Sequence, residues 1–230
     1  MKVKVLGTRG EIKPSLPYHS RHTGLLVDGE ILLDLGEPEF LEKDLGVILI
    51  THLHPDHAFF VKSDKKVDVN VPIYAPESSE NVEVTVVSEP FTVFEYNITP
   101  ILTHHSKKVR SVAYLIEKNG KRLLYTGDMI WINKEYWNLF ENLDLVITEG
   151  SFICEGGMIR RDKETGKIFG HTGIPDLMKF FENFTNRVLL IHFGSWFYKN
   201  TKESRKRVEN LARKYDLEVL VGYDGMEFEL

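Results

Sequence analysis

Three histidines and an aspartate lie within the short stretch THLHPDH: His52, His54, Asp56 and His57. Imidazole nitrogens and carboxylate oxygens are the ligands that Zn²⁺ and similar divalent ions accept. His52 and His54 are two residues apart, so an extended loop lets both bind one ion, while Asp56 and His57 follow Pro55 and can turn toward a second ion. A chain of this composition would show such a cluster by chance in about one case in a thousand, so the pattern predicts a metal site.

Other potential ligands stand where apolar segments end. PILTHHS, LLYTGD, LLIH and VLVGYD each read as a short strand that runs into His104 and His105, Asp128, His192 and Asp224. A single histidine after a strand is usually an ordinary packing residue, so the repetition carries the argument. Side chains at strand ends gather along one edge of a sheet. We therefore expect these residues to supply further ligands.

The elements that must position these residues are short strands followed by helices. KVKVLG, GVILIT, PIYA and NITPILT are β-branched or alternating segments bounded by turn residues, and hairpin turns are predicted at residues 28–29 and 119–120. Helices are predicted for IPDLMKFFENF and for TKESRKRVENLARKYDL, the latter with Thr201 as its N-cap. The strands LDLVIT, RVLLIH and EVLVGY alternate with these helices, and MEFEL is expected to close a sheet edge.

Composition excludes several classes of protein. The chain has 230 residues, 42% of them hydrophobic, and no linker-like segment, so one domain is expected over residues 1–230. A net charge of −5 argues against a general polyanion binder but leaves a local basic patch open. Cys154 is the single cysteine, so neither a disulfide within the chain nor a thiolate metal site is expected. Without a long apolar run, we expect a cytoplasmic protein with no membrane attachment.

THLHPDH resembles the signature of the metallo-β-lactamase superfamily, and the later TGD and LLIHFGS segments are similar to motifs of the same superfamily. The resemblance extends over nearly the whole chain. It implies an α+β fold, a four-layer αββα sandwich with two packed mixed β-sheets. It also implies a dinuclear metal site along one edge of the two sheets.

The resemblance also implies a role for each ligand. One ion is held by His52, His54 and a histidine of the 104–105 pair, and Asp128 bridges both ions. We choose His105 because neighbouring strand residues point to opposite faces and because HSKKVRSVAY resembles a family pattern that starts there. The expected cofactors are two divalent ions, with Zn²⁺ expected first and Mn²⁺ or Fe²⁺ also compatible. The full predicted ligand set is His52, His54, Asp56, His57, His105, Asp128 and His192.

Motifs that differ from some branches of the superfamily and resemble those of another indicate which branch this chain is most similar to. True β-lactamases of this fold carry a cysteine where this chain has Asp128, so antibiotic hydrolysis is not expected. THHSKKV departs from the third motif of thioesterases and lactonases, whereas TEGSF, GHTGI and HFGS resemble the phosphodiesterase branch that includes tRNase Z. Thr148 stands where tRNase Z carries a histidine, and no long tRNA-clamping arm is evident. Mature tRNA processing is therefore not expected.

The implied activity is hydrolysis of a phosphodiester, in a nucleotide or a short nucleic acid, by a hydroxide that bridges the two metal ions. Asp56 and Asp128 would hold the ions and orient this hydroxide, and His171 would protonate the leaving group. Glu149 is expected to orient a ligand or His171. The alternatives are a carboxyl-ester, lactone or thioester hydrolase, and a non-hydrolytic di-iron protein.

The expected partner is a small anionic or phosphodiester substrate, with a nucleic acid left open. The polar stretch FICEGGMIRRDKETGKIFGH is long for a loop and could act as a lid. In that role Arg160 and Arg161 would contact phosphate groups. A simple surface loop is the alternative. Asp224 could support a ligand from its place at a strand end.

Overall fold

The computed structural model describes residues 1–42 and 44–230. Short 3-10 helices occur at Pro38–Glu42, Phe59–Lys62 and Lys134–Phe140. The helices and strands, in chain order, are β1 (Lys2–Gly7), β2 (Gly24–Val27), β3 (Ile31–Leu33), β4 (Val47–Leu49), β5 (Ile73–Ala75), β6 (Thr85–Val86), β7 (Phe91–Val93), β8 (Tyr96–His104), β9 (Ser111–Lys118), β10 (Lys121–Tyr125), β11 (Trp131–Ile132), β12 (Leu145–Gly150), β13 (Met158–Arg161), β14 (Ile168–His171), α1 (Ile174–Phe181), β15 (Arg187–Phe193), α2 (Ser195–Tyr198), α3 (Thr201–Lys214), β16 (Glu218–Val221) and β17 (Glu227–Glu229).

The first sheet has the strand order β17-β1-β2-β3-β4-β5-β6. Its early strands pair antiparallel, and β3 to β6 pair parallel. The β2–β3 hairpin turns at Asp28 and Gly29, whose φ angles of 50° and 79° suit the tight turn that Asp-Gly favours. β17 pairs with β1 at the sheet edge, which confirms the prediction for MEFEL.

The second sheet has the strand order β11-β8-β9-β10-β12-β15-β16, with β7 also paired to β8. β8, β9 and β10 are antiparallel, and the predicted hairpin turn lies at Asn119 and Gly120, with φ angles of 52° and 74°. β10, β12, β15 and β16 are parallel, and α1 and α3 occur in the connections between the last three. Parallel pairing directs the carboxyl ends of these strands to one rim, where the predicted ligands follow.

The main core lies between the two sheets. Alternate apolar side chains of β1 to β4 meet alternate side chains of β8, β9, β10, β12 and β15, because successive strand residues point to opposite faces. The outer face of the second sheet packs against all three helices. Buried Phe40 and Phe60, from 3-10 helices, cover the outer face of the first sheet. The four-layer sandwich is confirmed, with the difference that 3-10 helices and loops form this outer layer.

Some local predictions differ from the structure. The stretch predicted as a loop or lid contains the hairpin β13–β14, which forms a small sheet of its own. α1 ends at Phe181, before FENF is complete. The N-cap of α3 is Asn200 rather than Thr201, because the Asn200 side chain accepts a hydrogen bond from the backbone N–H of Glu203. In the part of the chain that the structure describes, no helix is long and apolar enough to cross a bilayer.

Candidate active site

All seven predicted ligands lie at one rim of the sandwich. β4 leads into the THLHPDH loop, β8 into His105, β10 into Asp128, and His192 lies near the end of β15. Within each of two groups, one nitrogen or oxygen atom per residue lies within 4.8 Å of the others. The groups are His52, His54, His105 and Asp128, and Asp56, His57 and His192. We call these seven residues, a candidate site for divalent ions, the metal centre.

In the first group, ring nitrogens point at one another. His54 Nδ1 lies 3.0 Å from His52 Nε2 and 3.2 Å from His105 Nε2. Asp128 Oδ2 lies 3.8 Å from His52 Nε2 and 3.6 Å from His105 Nε2. Burial lowers the pKa of all three histidines, that of His54 to about 4. The imidazoles are therefore neutral at neutral pH, which is the form that binds a metal ion.

In the second group, histidines meet carboxylates. His192 Nε2 lies 2.8 Å from Asp56 Oδ2, and His57 Nε2 lies 3.4 Å from Asp128 Oδ1. Burial lowers the pKa of His57 and of His192, but the neighbouring carboxylates outweigh burial and raise both above the usual range. Burial conversely favours the protonated carboxyl, yet the histidines hold the pKa of Asp56 and Asp128 below the usual range. This half of the metal centre therefore pairs ionised carboxylates with protonated imidazoles, and a bound cation would replace the protons of the two histidines.

The residues of the metal centre fit divalent cations. In the described chain, His57 Nε2 and Asp128 Oδ1 are among the few buried side-chain atoms without a hydrogen-bond partner. Buried polar atoms are almost always satisfied, so two such atoms in one cluster of imidazoles and carboxylates fit a cation that both could bind. Asp128 faces the first group with Oδ2 and the second with Oδ1. This placement suits a carboxylate that bridges two ions.

Asp34 is a functional residue that sequence reasoning missed. It is fully buried beyond the end of β3, with a φ of 59°. Its Oδ2 accepts hydrogen bonds from His57 Nδ1 at 2.7 Å and from the Tyr125 hydroxyl at 2.5 Å, and its Oδ1 accepts from the backbone of Thr51 at 2.7 Å. A carboxylate on Nδ1 leaves Nε2 for the metal. The signal was present, because ILLDLG is another apolar strand that runs into a carboxylate.

The structure places His105 inside the metal centre and His104 outside it. His105 Nδ1 lies 2.9 Å from the Gly170 carbonyl, and the Gly170 N–H donates to the His105 carbonyl at 2.8 Å. The β13–β14 hairpin thereby orients His105. His104 stacks on Trp131, with ring centroids 4.2 Å apart. His192 is held in the same way as His105, because Ser151 Oγ lies 2.9 Å from His192 Nδ1.

His171 is the last residue of β14 and lies beside the metal centre. Its Nδ1 is 2.7 Å from Glu149 Oε2 and 3.8 Å from Asp128 Oδ2. Burial lowers its pKa, but the Glu149 and Asp128 carboxylates outweigh burial and raise the pKa to about 9. Glu149 is itself held, because its Oε1 accepts from the Met129 backbone at 2.7 Å. Glu149 thus orients His171, one of the two roles expected for it.

A cavity of about 280 Å³ opens over the metal centre, and we call it the active-site cavity. Gly10, Glu11 and Ile12 form one side of it. Its remaining lining includes His54, Asp56, His105, Asp128, Phe152, His171 and His192. Its size suits a small substrate or the reacting part of a larger one.

Three residues with expected supporting roles lie elsewhere. Arg160 and Arg161 are exposed on β13 and do not line the active-site cavity. Asp224 accepts hydrogen bonds from the backbone of Ser20 and from the Thr8 hydroxyl, both at 2.8 Å. It braces the loop after β1 rather than a metal ligand.

Residues 36–193, more than half of the chain, match the model of the beta-lactamase superfamily domain. The chain therefore belongs to this family, and the resemblance to the metallo-β-lactamase superfamily is confirmed. No curated protein matches the sequence.

Solved structures share the fold over the whole chain. YhfI from Bacillus subtilis, a metallo-beta-lactamase fold protein, is 20% identical with a TM-score of 0.71, covering 100% of this chain and 99% of that one. A diphosphatase from the PhnP family is 17% identical with a TM-score of 0.67, covering 100% and 97%. The short form of human tRNase Z is 19% identical with a TM-score of 0.63, covering 100% and 99%. At these identities the likeness shows the fold alone.

Proposed function

We propose that this protein is a dinuclear-metal hydrolase that cleaves phosphodiesters. The observation that carries the proposal is the metal centre itself: Asp128 belongs to the first ligand group and faces the second with its other carboxylate oxygen, and two buried ligand atoms have no hydrogen-bond partner. Family membership supports a metal-dependent hydrolase. The presence of a diphosphatase and a tRNase Z among the structural neighbours supports phosphate chemistry.

The residues divide between two ions, for which Zn²⁺ is the first expectation and Mn²⁺ or Fe²⁺ the alternatives. His52, His54 and His105 would hold one ion. Asp56, His57 and His192 would hold the other, and Asp128 would contact both. When bound, such ions supply an activated water nucleophile and positive charge that offsets the charge of the phosphate.

His171 would supply the proton that the leaving oxygen needs once its bond to phosphorus breaks. Glu149 holds His171 Nδ1 at 2.7 Å, which leaves Nε2 of a ring that lines the active-site cavity for the substrate. A general acid must lie within hydrogen-bond reach of the leaving atom, and the position of His171 at the active-site cavity meets this requirement. Asp56 and Asp128 would hold the ions and orient the nucleophile.

The test is hydrolysis of bis(p-nitrophenyl) phosphate beside a lactone and a thioester, with protein reloaded with Zn²⁺ or Mn²⁺. Asp128→Asn is the site variant, and Asp64→Asn is a matched control at an exposed position. Diester turnover that disappears in Asp128→Asn and persists in Asp64→Asn supports the proposal. Turnover of only a carboxylic substrate overturns it in favour of an esterase, lactonase or thioesterase. Bound iron with no turnover at all overturns it in favour of a non-hydrolytic protein.

We also propose a cytoplasmic location and a small anionic or phosphodiester substrate as the partner. The free, exposed Cys154 supports the location, because an unpaired surface thiol persists best in a reducing compartment. Fractionation of cells that express the tagged full chain tests it, and recovery in a non-cytoplasmic fraction would overturn it.

A further inference from the structure

A larger cavity, of about 590 Å³, lies on the other side of β8 and the β13–β14 hairpin from the metal centre. We call it the basic cavity. Its lining includes Lys107, Lys108, Arg110 and Lys167, and among the described residues it includes no aspartate or glutamate. The whole chain carries a net charge of −5, so this concentration of cations is a local feature. A concave surface of one charge focuses its field on ligands of the opposite charge.

Most of these cations have no carboxylate partner. Lys107 pairs with Asp162 at 2.5 Å. Within residues 1–42 and 44–230, no carboxylate oxygen lies within 4.0 Å of the charged nitrogens of Lys108, Arg110 or Lys167. Glu77 accepts a hydrogen bond from the backbone N–H of Arg110 and leaves the guanidinium free. The basic cavity therefore holds three cations that an anionic ligand can pair with.

An aromatic platform forms another part of the basic cavity. The rings of His104 and Trp131 stack at 4.2 Å with an angle of 20° between their planes. Trp131 Nε1 and His104 Nε2 lie 3.2 Å and 2.9 Å from the side-chain oxygen of Asn133. Because an indole N–H can only donate, Asn133 presents its oxygen, and His104 must donate from Nε2. Asn133 thus fixes the orientation of both rings, and flat aromatic surfaces of this kind stack nucleobases.

The basic cavity and the metal centre share a wall. His104 lines the first and its chain neighbour His105 belongs to the second. Ile168 and His171, both on β14, line the basic cavity and the active-site cavity respectively. Two hydrogen bonds between His105 and Gly170 join the end of β8 to β14, and these two segments separate the cavities. A ligand bound in the basic cavity therefore lies next to the reacting centre.

We propose that the basic cavity binds the phosphates and one base of a single-stranded oligonucleotide whose scissile phosphodiester lies at the metal centre. This inference rests on the proposed function and narrows its substrate to a polymer with several phosphates. Cations without partners suit the backbone phosphates, and the His104–Trp131 stack suits an unpaired base. Inorganic polyphosphate would use the cations but not the aromatic platform.

Binding is measured by fluorescence anisotropy of a short fluorescein-labelled oligothymidylate with metal-free protein, so that no turnover is required. The test variant is Lys108→Gln/Arg110→Gln/Lys167→Gln. The matched control is Lys202→Gln/Lys206→Gln/Arg213→Gln, which removes the same charges from the exposed face of α3. We expect the test variant to raise the dissociation constant by about 10-fold or more and to lower the slope of log affinity against log salt by about 2.

Trp131→Leu separates stacking from charge. We expect it to weaken oligothymidylate binding by about 5-fold or more with an unchanged salt slope. Inorganic polyphosphate added as a competitor is expected to displace oligothymidylate less well from the wild type than unlabelled oligothymidylate does. Equal competition, together with no effect of Trp131→Leu, would overturn base recognition.

The inference and the proposed function can fail separately. The basic cavity is wrong as an oligonucleotide site if oligothymidylate does not bind, or if the α3 control weakens binding as much as the test variant. Turnover of bis(p-nitrophenyl) phosphate by Zn²⁺-loaded protein is expected to be the same in the test variant and the wild type, because these residues do not line the active-site cavity. Absence of that turnover in every protein would overturn hydrolysis while cavity-dependent binding persisted.

Discussion

Two polar clusters lie at opposite ends of the same strands, and they differ in how their hydrogen bonds are satisfied. Asp28 precedes β3 and Asp34 follows it; Tyr96 opens β8 and His105 follows it. At the first end, Asp28 Oδ2 accepts from the Tyr96 hydroxyl at 2.6 Å and from Lys118 Nζ at 3.2 Å. We call these three residues the Asp28 cluster.

The polar groups of the Asp28 cluster satisfy one another with hydrogen bonds, whereas those of the metal centre do not all do so. Asp28 Oδ1 accepts from the Lys2 backbone at 2.6 Å, and Lys118 Nζ donates to the Tyr96 hydroxyl at 3.0 Å. At the metal centre, by contrast, His57 Nε2 and Asp128 Oδ1 lie 3.4 Å apart, and neither makes a hydrogen bond. A cluster whose donors and acceptors match needs no further group, whereas buried atoms left over indicate a ligand. We therefore expect the Asp28 cluster to stabilise the fold at one end of the strands and the metal centre to bind a ligand at the other end.

We expect the largest effect from a substitution of Asp128, the residue that faces both ligand groups. Asp128→Asn removes the charge that faces both ligand groups. We expect diester turnover to fall below detection, and the metal content of purified protein to drop, because the remaining ligands lose their common partner. Elemental analysis beside the kinetic assay checks this. Full metal content in Asp128→Asn would contradict the bridging role.

Removal of the support behind His57 should have a smaller effect. Asp34→Asn keeps the shape of the side chain but takes the carboxylate from His57 Nδ1. We expect metal affinity to weaken by about 10- to 100-fold, as is typical of groups that orient a histidine ligand. Competition with a chromophoric chelator measures it. Unchanged affinity would show that Thr51 and Tyr125, the other donors to Asp34, suffice to hold the loop.

The Asp28 cluster should respond in stability and not in activity. Asp28→Asn weakens charge-assisted hydrogen bonds to Tyr96 and Lys118, so we expect the free energy of unfolding to fall by about 1–3 kcal/mol. Diester turnover and metal content should match the wild type. Denaturant titration measures the first quantity, and a loss of turnover in fully folded protein would break the contrast between the two ends.

The smallest expected effect is a pH dependence at His19. The Thr8 hydroxyl donates to Asp224, so it accepts from His19 Nδ1, and His19 Nε2 accepts from Arg205 at 3.2 Å. Burial, and then the charge of Arg205, lower the His19 pKa from 6.5 to about 4. A folded pKa below the unfolded one means that the unfolded chain takes up the proton first, so this contribution is full above pH 6.5 and is lost as pH falls toward 4.

The variant His19→Gln tests this sign. We expect its free energy of unfolding to decline less steeply than that of the wild type between pH 6.5 and pH 4. Urea titrations at the two ends of this window provide the measurement. Parallel declines in the two proteins would show that carboxylates elsewhere account for the acid sensitivity.

Local sequence patterns predicted many of the strands and turns and most of the residues of the metal centre. The hairpin turns at residues 28–29 and 119–120 follow from Asp-Gly and Asn-Gly, which take positive φ angles at little cost. The resemblance supplied the four-layer architecture. ILLDLG carries the same strand-end pattern for Asp34, but the role of Asp34 depends on contacts with His57 and with Tyr125, 91 residues away, and spacing along the chain does not show such contacts.

The sequence by itself determined which chemical groups were available and in what local order. Histidines and aspartates directly after apolar segments predicted a candidate metal site at strand ends, because strand length and side-chain alternation are local properties. Only the tertiary structure decided that the β13–β14 hairpin orients His105 through Gly170, 65 residues away, and that Lys108, Arg110 and Lys167 line one cavity. Those outcomes depend on how two sheets and a hairpin pack, which is a property of the whole chain.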